Sequence, residues 1–207
     1  MAQRQNEPAF LTFLGIKGSP LMAILPSLTT QSMSNRRVLT ETERRKELGD
    51  WGEVKALELL RRPGSSFKNA RDVNQETHNH PFGDIYAERD RRRLLLGVKT
   101  RNMYQVSGKL NGEYNIRKKG ADVLSIARRY NADLGWVAIQ VIPERQTFNA
   151  YFGTIAEIEQ SKERFSIPIK PDKTARYVRL GQEDEFDSSI RPEWSNGGYS
   201  AMMRKRR

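Results

Sequence analysis

Three residues stand out in this sequence because their types and positions suit chemistry on a phosphodiester. Glu53 lies in a helical segment, Asp84 opens a strand-like run, and Lys99 lies near the end of the next such run. A turn over residues 89–92 would close the two runs into a hairpin and place Asp84 opposite residues 97–99. Carboxylates bind hard cations such as Mg²⁺, and a lysine can stabilise charge on a phosphate in flight. The combination indicates metal-dependent phosphodiester cleavage, although an ordinary cross-strand ion pair between Asp84 and Lys99 fits the same spacing.

The elements that must position these residues are visible in the hydrophobic pattern. Thr40 followed by Glu43 is a capping box, and an apolar stripe at helical spacing predicts a helix over 41–62. Residues 134–142 form a nearly continuous apolar run, which is typical of a strand covered on both faces. The other predicted strands are 66–73, 83–88, 93–100, 147–153 and 175–180, and the other predicted helices are 121–130 and 155–160.

These elements predict one layered α/β domain over residues 38–181. Residues 1–37 are expected to be a poorly ordered extension, because their short apolar runs are broken by Lys17, Gly18 and two prolines. They resemble a signal peptide only faintly, and Met33 is a plausible alternative start. Residues 182–207, acidic first and then basic, are expected to be a flexible tail.

The composition excludes several classes of protein and favours a polyanionic partner. The 207 residues include no cysteine, which excludes a disulfide scaffold, thiolate zinc sites, iron–sulfur clusters and a cysteine nucleophile. No apolar run is long enough to cross a membrane. No membrane is therefore expected as the main partner, and a cytoplasmic location is expected. The formal net charge of +11 is concentrated in 89–101, 117–129 and the last four residues. Nucleic acid is the expected partner, with an acidic membrane face or a merely solvated surface as alternatives.

The order of these motifs resembles the PD-(D/E)xK nuclease superfamily. The segment GDIYAERDRRRLLLGVKTR, at 83–101, is similar to the small archaeal Holliday-junction-resolvase type and to related bacterial nuclease-like proteins with the motif GE…GEID…VEVKTR. The resemblance covers about residues 49–142. It implies a restriction-endonuclease-like fold with a central mixed β-sheet flanked by helices. It also implies Mg²⁺ or Mn²⁺ as cofactor, DNA as substrate and a possible homodimer.

By this resemblance Glu53 matches the helical glutamate, Asp84 the metal-binding aspartate and Lys99 the catalytic lysine. The metal would be held by Glu53, Asp84 and the carbonyl oxygen of Val98. One position departs from the pattern, because the acidic residue two positions before the lysine is here Gly97. Glu113 and Asp122 follow on the next loop and helix and are the alternative acids. The resulting hypothesis is a metal-dependent DNA endonuclease, with a catalytically inactive DNA-binding module on the same fold as the alternative.

Polar and basic residues that follow Lys99 are the candidates for phosphate contacts. Such contacts make binding strongly dependent on salt without specifying sequence. The candidates are Arg101, Gln105, Lys118, Lys119, Arg128 and Arg129.

Overall fold

The computed structural model describes residues 38–74, 82–115, 123–155 and 166–207, which all belong to one compact unit. The extension predicted over 1–37 lies outside the described residues, as does nearly all of the short helix predicted over 155–160. No helix in the described ranges is long and apolar enough to cross a membrane.

Helix α1 (Glu41–Arg61) begins at the capping box that the sequence predicts. The Thr40 hydroxyl accepts a hydrogen bond from the Glu43 amide at 3.2 Å, and the Glu43 carboxylate accepts one from the Thr40 amide at 2.9 Å. These bonds satisfy two amides that the helix itself cannot. The apolar stripe of α1 is buried against the sheet, and it includes Leu48, Ala56, Leu59 and Leu60.

The central sheet is mixed and has helices on both faces, as the sequence predicts. The strands are β1 (Phe67–Asp72), β2 (Ile85–Arg89), β3 (Arg92–Asn102), β4 (Glu113–Asn115), β5 (Asp133–Ile142), β6 (Thr147–Thr154), β7 (Ser166–Pro168), β8 (Val178–Arg179) and β9 (Glu185–Phe186). The strand order in the central sheet is β1-β2-β3-β5-β6-β8, with β9 also paired to β6; the β3–β5 pair is parallel and the other pairs are antiparallel. A separate small sheet joins β4 and β7. The remaining helices are α2 (Val123–Tyr130), α3 (Pro171–Thr174) and α4 (Gly198–Lys205), with 3-10 turns at Pro143–Arg145 and Pro192–Trp194.

The β2–β3 hairpin sets the register of the candidate residues. Its two-residue turn, Asp90-Arg91, has φ values of 51° and 63°, as the tight hairpin turns that match strand twist require. The ladder then runs from the pair Arg89–Arg92 to the pair Ile85–Leu96. Asp84 is therefore next in line opposite Gly97, as the sequence predicts.

The two faces of the sheet carry separate cores. Leu94, Leu96 and Val98 pack with α1, whereas Leu95 packs on the other face with Trp136 of β5 and Ile126 of α2. Since side chains alternate along a strand, Gly97, Lys99 and Arg101 belong to the face opposite α1.

The segment 182–207 differs from the flexible tail that its composition predicts. Ile190 and Trp194 are buried against α1, and Met202 of α4 is buried as well. Two ion pairs fasten the segment to α1 and to the residue that follows it, between Lys55 and Asp187 and between Arg62 and Glu185, each at 2.6 Å. The domain therefore extends to the last residue, because a few apolar and charged side chains find specific partners that overall composition does not reveal. The strand predicted over 175–180 is correspondingly reduced to Val178–Arg179.

Candidate active site

Gly52 brings helix α1 unusually close to strand β3. A Cβ atom at this position would overlap the hydroxyl of Thr100, so only glycine lets the helix backbone lie against that strand. Glu53 follows Gly52, and Lys99 precedes Thr100. The close approach therefore carries the helical glutamate towards the end of the strand that holds the lysine.

Asp84 is fixed to the backbone of β3. Its Oδ2 accepts a hydrogen bond from the Val98 amide at 2.6 Å, and its own amide donates to the Leu96 carbonyl at 2.8 Å. The preceding Gly83 leaves room for the side chain of Leu95, which a Cβ atom would overlap. Asp84 is thus held beside the Val98 peptide, one residue from Lys99.

Glu53, Asp84 and Lys99 form one electrostatic cluster. The Glu53 residue as a whole is exposed to solvent. Neighbouring atoms nevertheless displace part of the water around its carboxylate, and this partial desolvation raises the pKa of Glu53 to about 6. The negative charges of Asp84, Asp50 and Asp72 add to this rise, and the positive charge of Lys99 opposes it. The charges of Asp84 and Lys99 thus act on Glu53, and the catalytic role of the three residues stays a prediction.

The oxygen donors at this place suit a hard divalent cation but are few. Among the described residues no group of three or more His, Cys, Asp or Glu side chains could hold a metal ion. Gly97, opposite Asp84, supplies no carboxylate. The carboxylates of Glu53 and Asp84 and the carbonyl of Val98 remain, and Mg²⁺ is commonly bound through one or two carboxylates with water completing its octahedron. The donor set therefore fits Mg²⁺ or Mn²⁺ held largely by water.

Two acids that the sequence analysis does not single out lie near Glu53. Asp50 precedes Glu53 by one helical turn, and Asp72 at the end of β1 pairs with Ile85, next to Asp84. The helical spacing of Asp50 was readable from the sequence, whereas the position of Asp72 depends on the β1–β2 pairing. Of the alternative acids, Glu113 is exposed on β4 and does not contribute to the pKa shift of Glu53, and Asp122 lies outside the described residues.

A polar groove of about 440 Å³ lies between α1 and the loop that follows β3; Thr100, next to Lys99, lines it, whereas Glu53, Asp84 and Lys99 do not. Arg101 and Gln105 both line it, as do Arg44 and Arg45 of α1, which the sequence analysis missed. The Arg101 guanidinium lies 5.4 Å from the ring centre of Tyr114. Arg44 and Arg45 follow the helix cap closely, and only the packing of α1 on β3 shows that they share a groove with Arg101.

The remaining predicted phosphate contacts do not belong to this groove. Arg128 and Arg129 are exposed in the last turn of α2 and do not line it. Lys118 and Lys119 lie outside the described residues.

Comparison with solved structures includes a structural likeness of limited extent. No protein-family model and no curated protein matches the chain. Among solved structures, the chain is similar to Hjc, a Holliday junction resolvase from the archaeal hyperthermophile Archaeoglobus fulgidus, with 18% sequence identity and a TM-score of 0.43. The matched region covers 64% of this chain and 96% of the resolvase.

Proposed function

We propose that this protein is a metal-dependent DNA endonuclease that cleaves phosphodiester bonds in duplex, branched or damaged DNA. The observations that carry the proposal are the electrostatic influence of Asp84 and Lys99 on Glu53, whose pKa is raised, and the hydrogen bond from the Val98 amide that holds Asp84 one residue from Lys99. Perturbed titration in a cluster of acids and a lysine is typical of catalytic sites.

Each residue has a distinct role in the proposed reaction. The carboxylates of Glu53 and Asp84, with the Val98 carbonyl, would bind Mg²⁺ or Mn²⁺. When bound, that ion supplies a Lewis acid and lowers the pKa of a coordinated water. Lys99, beside Asp84, positions the nucleophile and stabilises the negative charge that develops on the phosphorus oxygens. The hydrogen bond from Val98 to Asp84 holds the aspartate in place for this work.

The groove between α1 and the loop after β3 supports DNA as the partner. Arg44, Arg45 and Arg101 line it, and one acid there, Glu41, pairs with both arginines of the helix. The chain as a whole carries a net charge of +11. Arginine binds phosphate oxygens through two parallel hydrogen bonds, so a strand in this groove would place its backbone against these arginines. A homodimer, with one such site for each strand of a duplex, belongs to the same proposal.

Gly97 favours a second candidate function, that of a DNA-binding module without cleavage. The position opposite Asp84 carries no carboxylate, and a Cβ atom there would lie 3.3 Å from the Phe82 carbonyl oxygen. The backbone therefore leaves little room for a side chain where a third acidic ligand would stand. Binding through the basic groove does not depend on that ligand.

Cleavage assays on linear duplex and four-way-junction DNA test the endonuclease. We expect nicking or cutting in Mg²⁺ or Mn²⁺, none in EDTA, and loss of at least about 100-fold in rate for Asp84→Asn and for Lys99→Met. Asp90→Asn, at the exposed hairpin turn, is the control and should cleave like the unmodified chain. Salt-sensitive binding without cleavage in either metal would instead establish the binding module.

Binding of the same DNA in EDTA separates the groove from the chemistry. We expect Arg45→Ala combined with Arg101→Ala to weaken binding and to make its dependence on salt less steep, because two phosphate contacts are lost. The matched control, Lys68→Ala combined with Arg93→Ala, removes the same charge from exposed positions outside the groove. Equal weakening in both pairs would mean that only net charge matters and would remove the groove from the proposal.

A further inference from the structure

A second pocket, of about 500 Å³, lies over strands β5 and β6, on the sheet face opposite α1. Its volume falls in the range of small-ligand sites. Its floor comes from the two strands, and its walls come from the loop after β3, the segment around α3, and α4. None of Glu53, Asp84 and Lys99 lines it, so it is separate from the candidate active site.

Two buried amides build the floor of this pocket. Gln140 and Asn149 face each other across the β5–β6 ladder and are only 3% and 4% exposed. Gln140 donates a hydrogen bond to the Ile169 carbonyl at 3.4 Å, and Asn149 donates one to the Asp184 carboxylate at 2.9 Å. Buried amides in proteins are nearly always hydrogen-bonded, as both of these are. Their hydrogen bonds hold the segments of Ile169 and Asp184 against the two strands. The shape of the pocket is therefore defined by specific hydrogen bonds of buried side chains.

The walls carry more positive than negative charge. Two ion pairs lie within them, Arg145–Asp184 at 4.0 Å and Arg179–Glu183 at 3.5 Å. Lys170 and Arg206 also line the pocket, and neither forms an ion pair with any residue that the structure describes. The Lys170 side chain lies over Gly112, where a Cβ atom would crowd it. Two cations are thus available to an anionic ligand.

Aromatic rings accompany these cations. Tyr104 and Tyr199 line one wall with ring centres 6.1 Å apart and planes inclined at 47°. Tyr151 is buried in the floor, and the Arg179 guanidinium lies 5.4 Å from the centre of its ring. Flat rings beside phosphate-binding cations are the combination by which proteins bind nucleotides, through stacking on the base and charge-assisted bonds to the phosphate.

We propose that this pocket binds a nucleotide, with its base against Tyr199 and Tyr104 and its phosphate at Lys170 and Arg206. The nucleotide is either free or one unit of a bound strand. Arg101 of β3 pairs with Gln140 of β5, and both side chains lie on the same face of the sheet. Because neighbouring strands are about 5 Å apart, β6 in the pocket floor lies about 10 Å across the sheet from β3, the strand that carries Lys99. The proposal does not rest on cleavage, since it uses none of the residues of the candidate active site.

Calorimetric titration of the full chain with adenosine monophosphate tests the site, with adenosine and inorganic phosphate as separate probes. We expect the complete nucleotide to bind more tightly than either part. Lys170→Ala combined with Arg206→Ala should weaken nucleotide binding by at least about tenfold, because charge-assisted bonds are lost. Lys68→Ala combined with Arg93→Ala removes the same charge elsewhere and should leave binding unchanged. Tyr199→Leu, which keeps an apolar side chain but removes the ring, should weaken adenosine and the nucleotide alike.

A 5′-phosphorylated single-stranded decamer identifies the source of the nucleotide. Nucleotide binding that depends on the pocket, with or without competition by the decamer, supports a site open to free nucleotide. Decamer binding that is weakened in the pocket variants while the free nucleotide does not bind supports a unit of a bound strand. The proposal is overturned if neither probe distinguishes the pocket variants from the control pair. All variants should unfold at the same temperature as the unmodified chain, so that a loss of binding cannot be caused by a loss of folding.

Discussion

Asp84 accepts a hydrogen bond of 2.6 Å from the backbone amide of Val98, so the aspartate on one strand of the hairpin is fastened to the strand that carries Lys99. This bond joins the two halves of the candidate site through the main chain. The facing position, Gly97, supplies no side chain.

Introducing a carboxylate at position 97 should increase metal affinity. We expect Gly97→Glu to bind Mn²⁺ about tenfold more tightly than the unmodified chain, because affinity at oxygen sites rises with the number of charged ligands. Gly97→Gln is the matched control, since it meets the same crowding from the Phe82 carbonyl, 3.3 Å from the Cβ position, without adding charge. Titration calorimetry measures both. Equal affinity in the two variants would show that position 97 does not reach the metal.

Gly52 should be essential to the contact between α1 and β3. In Gly52→Ala the new methyl group overlaps Thr100, so we expect the free energy of unfolding to fall by about 1–3 kcal/mol. Gly49→Ala, in the same helix, meets nothing within 4 Å and should be neutral or stabilising by up to about 1 kcal/mol. Denaturant unfolding checks both changes. Similar stability of the two variants would contradict the close approach.

The raised pKa of Glu53 gives stability a specific dependence on pH. The folded chain holds this proton up to a pH of about 6, whereas the ordinary value is 4.5, so ionisation of Glu53 reduces stability as the pH rises through that window. We expect Glu53→Gln, without metal, to raise the free energy of unfolding above pH 6 by up to about 1 kcal/mol, a figure reduced for solvent screening. Below pH 4.5 the two proteins should be equally stable.

Denaturant unfolding at several pH values measures this difference. Glu113→Gln, which removes an exposed carboxylate on β4, serves as the control and should not gain stability in the same window. Equal stability of Glu53→Gln and the unmodified chain at pH 7 would show that the neighbouring charges and partial desolvation do not destabilise the ionised carboxylate.

The ion pair between Lys55 and Asp187 should anchor the C-terminal segment. Both side chains are largely buried, with exposures of 10% and 12%, so Lys55→Met leaves an uncompensated buried charge and should cost about 3 kcal/mol. Lys46→Met breaks an exposed pair with Asp50 in the same helix and should leave stability nearly unchanged. Thermal unfolding and proteolysis of residues 182–207 report the two effects. Equal losses of stability in the two variants would show that the Lys55–Asp187 pair does not anchor residues 182–207.

The sequence alone predicts the local elements and the register of the hairpin. The capping box at Thr40 marks the start of α1, and the turn predicted over 89–92 places Asp84 opposite residues 97–99, a range that the observed register narrows to Gly97. Both are local relationships, in which propensity and hydrogen bonding within a few residues decide the outcome. The clustering of Glu53 with Asp84 and Lys99 follows a pattern that the family resemblance supplies, and the catalytic role of the cluster stays a prediction.

Only the tertiary structure shows what residues distant along the chain do together. Asp72 joins the acidic cluster because β1 pairs with β2, and Arg44 and Arg45 share a groove with Arg101 because Gly52 lets α1 lie on β3. The C-terminal segment folds because Trp194 and Asp187 find partners on α1, which no periodicity within that segment reveals. Long-range packing and ion pairing depend on surfaces that exist only once the sheet and α1 have come together. For that reason the composition of residues 182–207 predicts a flexible tail, whereas the structure shows this segment packed on the domain.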